Sequence, residues 1–139
     1  MKKRLKHPIL PLILTSTLFQ LPIFYIILKK DKLEKYYTIC FLLGITSLVS
    51  MTRWTFSNNR TVWKLDNFFA KFSFYFFTNK YMKQSFKKRN IWINYIFICF
   101  FYIIAQVSYD YKFKYWWVLH SMFHISSIYC ICTVLKLLD

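Results

Sequence analysis

The sequence predicts an all-α, polytopic transmembrane helix bundle of about five spans, and three observations predict it. Of the 139 residues, 57% are hydrophobic and 23% aromatic, above the half-apolar composition usual for a soluble domain. The apolar residues are gathered into long runs, each near the ~20 residues that a helix needs to cross the hydrocarbon core. Short basic stretches separate the runs, as in Lys29-Lys30-Asp31-Lys32 and Lys87-Lys88-Arg89. A single transmembrane domain over residues 1–139 accounts for the chain and leaves no stretch for a separate soluble domain.

The first span, residues 8–28, follows the basic stretch Lys2-Lys3-Arg4-Leu5-Lys6. It is longer than the ~7–15-residue apolar region of a signal peptide. Lys29 and Lys30 follow it where a small-residue cleavage site would be needed, so a retained helix is expected. The second span covers residues 36–53. The third, residues 62–78, is the least apolar because it carries Asp66 and Lys71. Helical spacing puts Asp66, Ala70, Ser73 and Phe77 on one face and Lys64 and Lys71 on another. Such a segment can span if its polar face meets other helices and its lysines snorkel. The fourth and fifth spans are residues 91–108 and 115–138. Trp92 and Tyr115-Trp116-Trp117 fall near span ends, where aromatic rings anchor at the headgroup level.

The formal charge of +15 comes from 20 Lys and Arg against 5 acids. Because the basic residues flank apolar runs, their expected partners are membrane lipids with anionic headgroups, not nucleic acid. The clusters Lys29-Lys30 and Lys87-Lys88-Arg89 are expected on one side of the membrane. Basic residues divide almost evenly between the two sides, so charge does not orient the bundle. The four cysteines all lie inside apolar runs, and Cys130-Ile131-Cys132 turns its two thiols to different helix faces. That spacing suits neither a disulfide nor a metal clamp.

Ionisable groups inside membrane helices are costly and are candidate functional groups by default. Asp66, His120 and His124 stand out. The histidines lie at i and i+4, so both imidazoles project from one helix face about a turn apart. This spacing can deliver two ligands to one zinc ion, or the groups can simply hydrogen-bond across helices. His7, ahead of the first span, is poorly positioned as a third ligand. Ser50 ends the second span, Asp66 begins the third and the His pair begins the fifth. Five spans put all four in one leaflet.

At these residues the chain resembles the membrane hydrolase superfamily that contains the alkaline ceramidases, with adiponectin receptors and hemolysin III-type proteins as relatives. The resemblance is carried by Ser50-Met51-Thr52-Arg53-Trp54, by Leu65-Asp66-Asn67-Phe68-Phe69-Ala70 and by His120 to His124, in that order. It covers residues 47–73 and 116–128. The family's first histidine falls where this chain has Trp54, preceded by Arg53, and about five spans replace the family's usual seven.

In full, the resemblance implies zinc on His120 and His124 activating a water against a lipid amide carbonyl. Asp66 would hold or deprotonate that water, and Ser50 would bond the reacting oxygen. With Trp54 in the third-ligand position, the alternative is a degenerate relative that keeps the fold and binds lipid. A third reading is a small membrane protein unrelated to hydrolases, channel-like or an assembly factor. The gathering of polar groups toward one leaflet counts against a channel.

Overall fold

A computed structural model describes residues 9–29, 33–56, 59–83, 86 and 91–138. The basic residues Lys2, Lys3, Arg4, Lys6, Lys30, Lys87, Lys88 and Arg89, and also His7, lie outside the described residues. The expected side of the two basic clusters therefore falls outside them too.

The first span is a helix in two pieces, α1 (Ile9–Thr17) and α2 (Leu21–Leu28), joined by a 3₁₀ turn at Leu18–Gln20. Pro22 in the first turn of α2 explains the break. Its nitrogen carries no hydrogen for the Leu18 carbonyl, and its ring crowds that carbonyl, so the local winding tightens. Helix α3 (Leu33–Thr55) runs farther at both ends than the 36–53 expected. Asn59 caps α4 (Arg60–Phe77), its Oδ1 accepting from the backbone N–H of Thr61 at 2.9 Å and of Val62 at 3.3 Å. A π-helical turn, Thr78–Met82, continues from α4.

Helices α5 (Ile91–Asp110) and α6 (Trp116–Leu138) complete the bundle. Between them, Lys112 adopts a left-handed φ of 57°. The Phe113 N–H bonds back to the Ser108 carbonyl at 2.8 Å, and that of Lys112 to Tyr109 at 3.0 Å. This is a Schellman stop with a lysine in the position that glycine usually fills, and it turns the chain directly into α6.

Two antiparallel pairs form the frame. In the first, Thr46 of α3 meets Ser73 of α4, and Arg53 meets Asp66. In the second, Tyr102 and Tyr109 of α5 meet Phe123 and Trp116 of α6. Helix α1 packs between α3 and α6 and joins the pairs. The larger core gathers Phe19, Ile26, Tyr36, Ile39, Phe77 and Ile131, while Leu12, Trp54 and Trp116 form a smaller one.

The distribution of side chains is inverted relative to a soluble protein. Leu10, Leu14, Leu48, Phe68, Phe97, Ile103 and Tyr129 face outward, while Ser16, Ser47, Ser50, Asp66, Ser73 and His124 are buried. Among the described residues, four segments, Ile9–Leu28, Glu34–Thr55, Ile91–Asp110 and Trp116–Leu138, are long and apolar enough to cross a membrane. The chain is an integral, multi-pass membrane protein with an all-α helix bundle. Helix α4 falls short of that apolar standard, yet it lies lengthwise along α3 and turns Asp66, Ser73 and Phe77 inward. These are three of the four residues assigned to its inner face by spacing.

One aromatic assignment is corrected. Trp92 and Tyr115 are exposed at their helix ends, but Trp116 is buried. Its indole packs against Trp54 and Tyr109, with ring centroids at 5.9 and 5.1 Å. It is a core residue and not a headgroup anchor.

Candidate functional site: an intramembrane cavity with a polar end

A cavity of about 310 Å³ lies between the two helix pairs. Each of α3, α4 and α6 lines it by helical periodicity: Thr46, Ser50 and Arg53 from α3, Asp66, Ala70 and Ser73 from α4, and His120, His124 and Ser127 from α6. Toward the other end its walls are apolar, formed by Leu43, Phe77, Met82, Ile98 and Ile131. From His120 to Ile131 the lining follows α6 for about 16 Å at the usual rise per residue. The four residues singled out from sequence, Ser50, Asp66, His120 and His124, all line this one cavity.

Three of them are hydrogen-bonded across helices. Asp66 is bound to Arg53, with Nη1 donating to Oδ2 at 2.6 Å, and both side chains are largely buried, 7% and 14% exposed. The Arg53 guanidinium also lies over the Trp54 indole, 4.4 Å from its centroid, and 5.9 Å from that of Trp63. Ser50 shares a hydrogen bond with Ser16 of α1, Oγ to Oγ at 3.0 Å. Ser47 donates to the Ser16 carbonyl at 2.9 Å, so α1 is stitched to α3 by hydroxyl groups. Thr46 and Ser73 do the same between α3 and α4 at 2.8 Å.

The imidazoles of His120 and His124 lie 4.6 Å apart, centroid to centroid, with their planes steeply inclined. His124 is buried, and its Nδ1 is 3.1 Å from the Thr15 hydroxyl. Thr15 also lies within reach of the carbonyls of Pro11 and Leu12, at 3.0 and 3.2 Å. With the hydroxyl proton given to those carbonyls, the Thr15 oxygen is free to accept from Nδ1–H of His124. His120 sits against an edge-on Trp54 ring at 5.3 Å, so the indole is beside the imidazole pair. Among the described residues, no group of three or more His, Cys, Asp or Glu side chains comes together as metal ligands.

Sequence reasoning missed Thr15, Ser16, Thr46 and Ser47, and it placed Ser73 on the face of Asp66 without naming its partner. Their signal was available: small hydroxyl residues inside otherwise apolar runs are the usual interhelical hydrogen-bonding groups of membrane helices. It also missed Arg53 as the partner of Asp66. Opposite charges flanking the turn of a helical hairpin, at Arg53 and Asp66, are the pattern that reveals such a pair.

Comparison with protein-family models, curated proteins and solved structures finds no match for this chain.

Proposed function

We propose that this protein is a multi-pass membrane protein whose cavity binds lipid without hydrolysing it, a degenerate relation of the ceramidase-like hydrolases. One observation carries the reading: the cavity is long and mostly apolar, and Ser50, Asp66 and His124 at its polar end already have partners within the bundle. A volume near 310 Å³ is at the lower end of the ~300–1,000 Å³ typical of small-ligand sites. The carboxylate that would hold a reacting water is neutralised by Arg53 at 2.6 Å. The hydroxyl that would bond a reacting oxygen is engaged with Ser16. A catalytic zinc takes three protein ligands plus a water. The cavity offers two imidazoles, an indole beside them and a guanidinium whose charge opposes a dication. No hydrolytic step is therefore assigned to these residues.

A second reading, a zinc-dependent hydrolase of a lipid amide, is favoured by one feature. His120 and His124 are adjacent, and Ser50 and Asp66 line the same cavity.

Photoactivatable lipid analogues in bilayer nanodiscs test the two together. Lipid binding predicts labelling of cavity residues such as Phe77 and Ile131, lost when Ala70→Phe fills the space. Labelling that ignores Ala70→Phe defeats the cavity reading. Amide hydrolysis abolished by both Asp66→Asn and His124→Ala would establish the second reading instead.

A further inference from the structure

Helices α4 and α5 touch at one end, where the rings of Phe74 and Tyr95 stack at 5.4 Å. They do not pack together along their lengths. The cavity fills the separation, with Asn67, Ala70 and Lys71 on the α4 side and Cys99, Tyr102 and Ile103 on the α5 side. This leaves a slot in the side of the bundle, opening toward the surrounding lipid.

Lys71 stands at that slot. It lines the cavity and is exposed. In depth it lies between the Arg53–Asp66 and Thr46–Ser73 pairs, within the membrane-crossing length of α3. Among the described residues it makes no ion pair, and the sequence has few acids to offer. Of the five, Asp66 is taken by Arg53, Glu34 begins α3 and Asp110 ends α5, while Asp31 and Asp139 lie outside the described residues. A lysine at this depth is costly unless an anion accompanies it.

Arg53 adds to the same field. Its guanidinium has five N–H donors, and among the described residues its one hydrogen bond is the Nη1 bond to Asp66. Arg53, Lys71 and Asp66 all line the cavity, so its side chains set two cations against one carboxylate. It is complementary to a ligand with one negative charge at one end and an apolar body.

Resting on the lipid-cavity reading, we infer that the occupant is a long-chain carboxylate entering sideways between α4 and α5. Its head is received by Lys71 and the free side of Arg53, and its chain lies along Phe74, Phe77 and Ile131. A single charge matches a carboxylate better than a phosphate monoester, which carries about −1.5 to −2 at neutral pH. A cavity of about 310 Å³ suits one chain and not two.

The test is equilibrium binding of radiolabelled palmitate and of methyl palmitate to the full chain in phosphatidylcholine nanodiscs, with protein-free discs as background. Palmitate is expected to bind about tenfold tighter than its ester, as for one charge-assisted hydrogen bond. Lys71→Gln should remove that advantage and leave ester binding as it was, while Lys71→Arg should retain it. Lys71 is exposed, so neither change disturbs the core. Equal binding of acid and ester, or a palmitate affinity indifferent to Lys71→Gln, overturns the carboxylate assignment and leaves the lipid cavity standing. Preference for ceramide or lysophosphatidate over palmitate also overturns it. Failure of every lipid to bind above the disc background, or binding indifferent to Ala70→Phe, removes both readings.

Discussion

Cutting the Arg53–Asp66 pair from either side should destabilise the bundle far more than cutting it from both. The two side chains are only 14% and 7% exposed and meet at 2.6 Å, so solvent screens them little. Removing one partner of a buried pair strands the other charge and costs ~3–5 kcal/mol. Asp66→Leu should fall toward the lower end of that range, because the indoles of Trp54 and Trp63 still face the guanidinium. Arg53→Met should fall toward the upper end, since it also forfeits those contacts, worth ~0.5–2 kcal/mol. The double variant buries no charge and should cost no more than ~2 kcal/mol, less than either single and far less than their sum. Reversible unfolding in mixed detergent micelles, followed by tryptophan fluorescence, measures all three. Additive effects, or single changes costing less than the ~1 kcal/mol typical of exposed pairs, would refute the claim that this pair fastens α4 to α3.

If α4 crosses the membrane, cysteines introduced at Asn59 and Asn79 in a cysteine-free chain should react with an impermeant maleimide from opposite sides of sealed vesicles; reaction from one side would make α4 a surface helix. Wild-type protein should carry substoichiometric zinc and unfold at the same midpoint with or without chelator. Combining Arg53→Gln with Trp54→His should raise zinc affinity by adding a third imidazole beside His120 and removing the opposing cation. Stoichiometric zinc in the wild type, lost in His120→Ala, would restore the hydrolase reading.

Arg53 and Trp54 are neighbours in sequence and act together around Asp66. In the bundle they form a unit, in which the guanidinium stacks on the indole and holds Asp66. A buried carboxylate without a cationic partner or a metal would be expensive. Arg53 supplies that positive charge at Asp66.

Helix identity, approximate helix limits and the gathering of Ser50, Asp66, His120 and His124 were legible in the chain alone. Each depends on quantities local in sequence: the length of an apolar run, the 3.6-residue period and the alternation of direction from one span to the next. The inner face of α4 was legible for the same reason, since Asp66, Ser73 and Phe77 recur at helical spacing. What each polar group bonds to was decided only by tertiary packing. Asp66 takes Arg53 and not an imidazole, His124 takes Thr15, and Ser50 takes Ser16. The partners of His124 and Ser50 arrive on α1, where small hydroxyl residues in an apolar run signal interhelical bonding but not which helix they meet. The slot between α4 and α5 likewise has no sequence signature, because it arises from two helices that meet at Phe74 and Tyr95 and then separate. Hydrogen bonds and ion pairs act over a few ångströms, so their partners are set by which helices become neighbours.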